Sequence, residues 1–330
     1  MKDDTTKRPC SHRQSKGHGG RRRKCLTCGV TWTPRAKRRG RKPLKHRVAS
    51  LEQTFVERLT LVQQARRSQA SAGALGKRHA ASLALLADRP WLHEPPSGSL
   101  ILVMDAIWFG KDEQRHTVYL MGLRAVEEDT LHFLRPVLRL GNESQKQWQE
   151  IVDGIPDEAR QRILAVVSDS FSGAGSIAKR HGWVFQRCQA HLLLRLEVRC
   201  GDNKRTVSWR EGRQALKALT YALMNTRDKE KASKIAHRIF ILGQDKECPR
   251  ALRQIVTETL RTLHEYRACY LHPELRLPAT TNALENTNGR IRSVLNRSRG
   301  CRTPASLIQW ITGFLWFNGT VACRPKEPQN

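Results

Sequence analysis

The sequence has no hydrophobic run long enough to cross a membrane. Its longest apolar stretch, residues 307–317, is interrupted by Gln309, Thr312 and Gly313 and falls short of the roughly 20 residues that a spanning helix needs. The first residues also lack the apolar core of a signal peptide. These absences argue against a membrane-embedded or secreted protein, and we expect a cytoplasmic one with no membrane partner.

Acidic residues are scarce as well. The 330 residues include 30 Asp or Glu against 59 Lys or Arg, a formal net charge of +29, and the first 50 residues alone carry 17 basic and 2 acidic side chains. Basic side chains that neutralise phosphates gain free energy from counterion release, so we expect a nucleic-acid partner. A generic RNA-binding or ribosomal-type protein would show the same charge.

The nine cysteines are an odd number without secretory context, so reduced thiols are expected. Three of them cluster near the N-terminus, where Cys10 and His12 precede Cys25-Leu-Thr-Cys28. A Cys-x-x-Cys pair followed by glycine and an aromatic residue is typical of half a zinc ribbon. Cys10, His12, Cys25 and Cys28 are therefore predicted to bind a structural Zn²⁺; the alternative is a disordered basic arm with unpaired thiols.

Composition divides the chain into five predicted segments. They are a basic zinc ribbon (1–43), a helix-turn-helix-like DNA-binding module (44–94), the first part of an α/β core (99–200), an all-helical insertion (201–275) and the C-terminal part of the core (276–330).

The second segment has helical spacing of apolar residues. The apolar positions of its first helix are Leu51, Phe55, Leu59 and Val62. Small residues at 70–73 predict a turn, and Gly76–Ala87 is the candidate recognition helix. Three basic residues near the start of that helix would face phosphates or base edges: Lys77, Arg78 and His79. A plain helical hairpin is the alternative.

The third segment predicts a mixed α/β fold. Two apolar runs, 99–105 and 163–169, each end in an aspartate and are typical of buried strands. Residues 116–123 and 130–138 are predicted as neighbouring strands, and 143–152 as an amphipathic helix. Strands in this order, interleaved with helices, indicate a mixed sheet.

Two aspartates and one glutamate form the candidate chemistry. Asp105 and Asp169 are each predicted at a strand end, where ligands gather in α/β sheets. Glu285 lies in a predicted helix that begins after Pro278, and Arg292 follows seven residues later on the same face. Three carboxylates can hold two Mg²⁺ ions. The alternative for either aspartate is an ordinary turn cap.

These residues resemble the DDE transposases of the Mutator-like superfamily, whose bacterial members move insertion sequences. The resemblance covers residues 99–320 and rests on the order Asp105, Asp169, Glu285, on the motif Thr-Thr-Asn-Ala-Leu-Glu at 280–285, and on Cys188-Gln-Ala-His191. It implies an RNase H-like core in which Asp105, Asp169 and Glu285 bind two Mg²⁺ (or Mn²⁺) ions.

Further site residues are predicted around this triad. Cys188 and His191 would support the strand of Asp169 or contact DNA rather than bind the metal; a buried thiol and a core histidine are the alternative. The basic side chains expected to grip DNA beyond Glu285 are Arg290, Arg292, Arg297 and Arg299.

The sequence thus predicts a DNA transposase that cleaves element ends with Mg²⁺ and joins them to target DNA. A homodimer or larger assembly on DNA is expected, because two ends must be joined, and a bacterial nucleoid location follows. The alternatives are a catalytically silent transposase-derived DNA-binding regulator and an RNase H-like structure-specific nuclease such as a junction resolvase.

Overall fold

A small antiparallel sheet forms part of the basic N-terminal segment. The structure, a computed structural model, describes residues 14–19, 22–32, 51–87, 94–169, 171, 173–200, 208–298 and 303–326. Strands β1 (Ser15–Gly17), β2 (Arg23–Cys25) and β3 (Thr31–Trp32) pair in this order. Cys25 is buried and Cys28 exposed in the turn after β2. Cys10 and His12 lie outside the described residues, so the zinc ribbon stays a prediction.

Contacts divide the chain between residues 46 and 47 into two units, of which the second contains every element described below. Its centre is a seven-stranded sheet. The strands are β4 (Leu100–Phe109), β5 (His116–Ala125), β6 (Thr130–Phe133), β7 (Val137–Leu140), β8 (Ile163–Ser168), β9 (Val184–Arg187) and β10 (Thr320–Ala322).

The sheet mixes strand directions. Its order is β10-β6-β5-β4-β8-β9, with β7 pairing to β5. β4, β5 and β6 are antiparallel neighbours, whereas β8 runs parallel to both β4 and β9. The predicted mixed α/β class is therefore confirmed, and the arrangement is consistent with the RNase H-like core that the resemblance implies.

Three strand predictions need correction. The strand predicted over 130–138 is two strands, because Pro136 lacks the N–H that a continuous ladder needs. Strand β10 was not predicted. Asp105 lies in the interior of β4 instead of at its end, because β4 continues to Phe109 and pairs with β5 along its whole length.

The helices surround this sheet. They are α1 (Leu61–Ser68), α2 (Ala72–Ala87), α3 (Gln145–Asp153), α4 (Asp157–Arg160), α5 (Ala174–His181), α6 (Gln189–Cys200), α7 (Arg210–Asn225), α8 (Lys229–Gln244), α9 (Arg250–Arg261), α10 (Leu263–Tyr266), α11 (Ala268–Leu271), α12 (Asn282–Ser298) and α13 (Pro304–Phe317). Residues 51–55 are also helical. Within the described ranges, no helix is both long and apolar enough to cross a membrane.

The alternation of β4 side chains separates two apolar layers, because successive strand residues point to opposite faces. Leu102 and Met104 join the layer of Trp148 and the helices α3 and α5. Ile101 and Val103 join the opposite layer, which contains apolar residues of α12 and α13. Asp105 has the parity of this second layer, so α12 covers the face from which its side chain extends.

Helices α7 to α9 form a third apolar cluster with α6. Four of its apolar residues are fully buried there, Leu216, Leu223, Ile239 and Leu252. The described residues between β9 and α12 form helices and no strand, and the predicted insertion stays a prediction.

The helices of residues 51–87 pack in the second layer rather than apart from it. Phe55 and Leu83 are buried against α13. Arg58 has a positive φ of 58°, which ends the first helix, so the predicted continuation to Val62 is wrong and Val62 is 54% exposed.

Helices α1 and α2 are joined by a short turn at residues 69–71, and α2 begins at Ala72, four residues before the predicted start. Lys77 and Arg78 are exposed on α2, as DNA contact would require. The prediction for His79 is wrong: it is buried in the same turn of the helix and cannot face phosphates.

A buried arginine forms hydrogen bonds that connect the sheet to the segment after the C-terminal strand β10. Arg124 of β5 is fully buried and donates hydrogen bonds to the carbonyl oxygens of Cys323, at 3.0 Å, and of Arg276. Replacing it by methionine keeps the length of the side chain but leaves both carbonyls without this donor. We expect Arg124→Met to lower the free energy of unfolding by roughly 2–4 kcal/mol.

Urea denaturation measures this loss. Arg139→Met is the matched control, because Arg139 is exposed on the neighbouring strand β7, and it should change stability by less than about 0.5 kcal/mol. Equal midpoints for the two variants would contradict a structural role for Arg124.

Candidate active site

Asp105 is the most buried acid of the candidate site, with 8% of the residue exposed. Its Oδ1 accepts the N–H of Ala106 at 2.9 Å, and its Oδ2 accepts the side-chain amide of Asn288 at 2.6 Å. Asn288 belongs to α12, so this contact fixes the carboxylate towards the helix that carries Glu285.

Asp169 lies beside Asp105, because the strands β4 and β8 are parallel neighbours. Met104 pairs with Ser168, so the aspartates that follow these residues are adjacent on neighbouring strands, which are about 4.8 Å apart. Ala165 and Val167 face the layer of α12, and Asp169 continues their parity. Its Oδ1 accepts the N–H of Phe171 at 3.1 Å, which holds the turn after β8.

Glu285 is placed by the first turn of α12. Thr281, fully buried, precedes the helix, and its carbonyl accepts the N–H groups of Leu284 and Glu285. Its hydroxyl donates to Glu285 Oε1 at 2.8 Å. Asn288 follows Glu285 by three residues on the same helix face, so one turn of α12 presents both side chains towards Asp105.

All three acids act on the pKa of Asp105. It is raised from 3.8 to about 7, with burial the largest cause and the charge of Asp169 the next. Glu285 raises this pKa too, whereas the N–H of Ala106 and the nearby His191 lower it. Asp169 and Glu285 therefore both influence the ionisation of Asp105. Along the chain, 64 residues separate Asp105 from Asp169 and 116 separate Asp169 from Glu285.

Cys188 and His191 contact Glu285. The backbone N–H of Cys188 donates to the carbonyl of Ser168 at 2.8 Å, at the end of β8. Its thiol lies 3.9 Å from Glu285 Oε1, and His191 Nδ1 lies 3.5 Å from the same oxygen. The sequence did not predict these two contacts.

The pKa of His191 is raised to about 9. Its interaction with Cys188 is the largest cause, and the charges of Glu285 and Asp169 add to it against the effect of partial burial. A protonated imidazole near the acids offsets part of their mutual repulsion.

Three residues near the acids were not predicted to act there. Asn288 could have been found, because the spacing of three from Glu285 puts it on the same face. Thr281 entered the sequence analysis only as part of the motif at 280–285. Glu143 gave no signal: burial raises its pKa and the charge of Asp169 adds to the rise, while Trp148 donates a hydrogen bond to its carboxylate.

The predicted DNA-binding arginines are only partly described. Arg290 and Arg292 are exposed on α12. Arg290 donates to Asn318 and lies over the Phe314 ring, with its guanidinium carbon 5.4 Å from the ring centroid. The side chain of Arg297, and Arg299 as a whole, lie outside what the structure describes.

The donor chemistry of the three acids fits a hard divalent cation. Mg²⁺ prefers carboxylate oxygens. The pKa of the buried Asp105 carboxyl group is raised by burial and by two neighbouring acids, and a bound cation would offset the repulsion among the three negative charges. Asp105, Asp169 and Glu285 would hold such an ion. The thiol and imidazole beside Glu285 are poor ligands for it.

No family model matches the chain, and no curated protein matches it. One solved structure that is similar in part is the Drosophila P element transposase strand transfer complex, with a TM-score of 0.32 and 10% sequence identity; the match covers 84% of this chain and 79% of that one. Similarity at this level does not by itself establish a shared activity.

Proposed function

We propose that this protein is a DDE transposase with an RNase H-like core, which cleaves DNA at the ends of a mobile element and joins them to target DNA. The position of Asp105, beside Asp169 on neighbouring parallel strands and against the helix that carries Glu285, is the observation that supports the proposal most directly. Support also comes from the net charge of +29, which suits a polyanionic substrate.

The chain's own residues would prepare the chemistry. Asn288 and Thr281 each hold one carboxylate by a hydrogen bond, so the acids are oriented before substrate arrives. Asp105 must lose its proton to become a ligand, which its pKa of about 7 allows at neutral pH. Arg292, exposed on α12, is proposed to bind a phosphate of the DNA.

Bound Mg²⁺ would stabilise the negative charge that develops on the attacking and leaving oxygens. In the first proposed reaction, a water oxygen attacks a phosphorus atom at the element end and the 3′-oxygen leaves as a hydroxyl. In the second, this 3′-hydroxyl attacks a target phosphodiester, so no covalent bond between protein and DNA forms.

Finer features are part of the proposal. The N-terminal unit, with a structural Zn²⁺ on Cys10, His12, Cys25 and Cys28, and helix α2 with Lys77 and Arg78 would recognise the element ends. A homodimer or larger assembly would join two ends in the cytoplasm.

The test is an assay of the purified chain with Mg²⁺ on duplexes taken from the two flanks of its gene. We expect nicking at imperfect inverted repeats, followed by joining of the 3′-ends to a second duplex. Binding without any cleavage would favour the regulator instead. Cleavage of branched DNA alone would favour the structure-specific nuclease.

A further inference from the structure

A second group of potential ligands lies beside the three acids. One donor atom each from Cys188, His191 and Glu285 lies within 4.8 Å of the others. The group combines a thiol, an imidazole and a carboxylate. Cys188 is fully buried, whereas the side chains of His191 and Glu285 are 32% and 37% exposed, so an ion could enter from solvent.

The donor types select a softer metal than Mg²⁺. Sulfur and nitrogen are favoured by Zn²⁺ and similar transition-metal ions, whereas Mg²⁺ takes oxygen ligands. Three protein ligands with an accessible fourth position are also the usual composition of an open zinc site.

The distances fit a tetrahedral ion. Bond lengths of about 2.0–2.3 Å at tetrahedral angles put neighbouring ligand atoms about 3.3–3.6 Å apart. Glu285 Oε1 lies 3.5 Å from His191 Nδ1 and 3.9 Å from Cys188 Sγ. For these two pairs, movements of a few tenths of an ångström would reach tetrahedral spacing, and the thiol and imidazole lie within 4.8 Å of each other.

Thr281 holds this group together before any ion binds. Its hydroxyl lies 2.8 Å from Glu285 Oε1, and its N–H and hydroxyl each lie 3.4 Å from Cys188 Sγ. Cys188 and Glu285 come from distant parts of the chain, so this contact is built by the fold and not by local sequence.

We propose that Cys188, His191 and Glu285 form a binding site for a Zn²⁺-type ion, which shares Glu285 with the site of the hard cation. When the metal binds, the Cys188 thiol and the His191 imidazole, where it is protonated, each release a proton to solvent. Because Glu285 belongs to both groups of ligands, occupation of this site withdraws it from Asp105 and Asp169. The resulting inhibition of DNA cleavage rests on the proposed function, whereas the binding does not.

Cobalt(II) titration of the full chain tests the binding, because Co²⁺ substitutes for Zn²⁺ and absorbs strongly when a thiolate ligates it. The N-terminal cysteines are also proposed to bind metal, so the signal is the difference between variants. Cys200→Ser is the matched control: Cys200 lies on the same helix as His191, is 6% exposed and is outside the group.

Cys200→Ser is expected to retain the full cobalt spectrum of the parent, and Cys188→Ser to lose one equivalent of thiolate-bound Co²⁺. Glu285→Gln should keep the thiolate absorption band but bind Co²⁺ at least about tenfold more weakly. Even the loss of an outer partner of a metal ligand typically lowers metal affinity by about 10–100-fold. Circular dichroism would show that each variant folds. Identical titrations of folded Cys188→Ser and the parent would overturn the proposal.

Zinc inhibition is measured as the ratio of Mg²⁺-supported cleavage without and with Zn²⁺, for each variant against itself. The ratio should be large for the parent and Cys200→Ser and near one for Cys188→Ser. If the parent cleaves no DNA but the cobalt difference persists, the proposed function fails and the metal site stands. If the parent cleaves DNA and the cobalt difference is absent, only the metal site fails.

Discussion

Asp105→Asn and Glu285→Gln are each expected to reduce strand cleavage and joining more than about 100-fold while leaving DNA affinity unchanged. Losing even an outer partner of a metal ligand typically costs 10–100-fold, and these changes remove a ligand itself. Both amides keep the size of the side chain but remove its negative charge. Single-turnover cleavage and a band-shift assay on the same duplex separate chemistry from binding.

The control for this pair is Glu274→Gln, because the Glu274 side chain is 65% exposed and contacts only His272 among the ion pairs of the described residues. It should cleave and bind as the parent does. Normal joining by Asp105→Asn or Glu285→Gln in Mg²⁺ would refute the assignment of the site.

The same Asp105→Asn change is expected to stabilise the metal-free protein above pH 7. The folded pKa of about 7 exceeds the unfolded value of 3.8, so the unfolded chain loses its proton first. The free energy of unfolding of the parent therefore falls as the pH rises from 3.8 to about 7, and it stays lower above pH 7. At about 1.4 kcal/mol per pKa unit, the variant should gain roughly 2–3 kcal/mol over the parent between pH 5 and pH 8.

Urea denaturation with a chelator present, at pH 5 and pH 8, measures this gain. Glu274→Gln should differ from the parent by the same small amount at both pH values. Added Mg²⁺ should stabilise the parent at pH 8 more than it stabilises Asp105→Asn, because binding to the folded state alone raises stability. A variant that is less stable than the parent at pH 8 would show that burial of Asp105 does not oppose its ionisation.

Local patterns predicted the strands that carry the acids. An apolar run followed by aspartate gave β8 and its neighbour Asp169, because a buried strand leaves a continuous apolar signature. The same pattern misplaced Asp105, since the polar residue in β4 is an interior position that faces α12. The sequence shows where Asp105 lies, but it does not show that β4 continues past this residue and stays paired with β5.

Long-range contacts account for what the sequence could not show. Cys188 and Glu285 are 97 residues apart and meet through one carboxylate oxygen. Arg124 reaches a carbonyl 199 residues away. Neither contact produces a periodic pattern in the sequence. Each depends on how β9, α12 and β10 pack, and not on the residues next to it in the chain.

The shared core of residues 51–87 and α13 limits which parts of this chain can be exchanged without loss of folding. Phe55 lies 5.4 Å from Trp310 and 5.8 Å from Phe317, ring centroid to centroid, and Leu83 fills the space beside Gly313. Exchange of residues 51–87 with a foreign module would therefore expose apolar residues of α13 that Phe55 and Leu83 now cover.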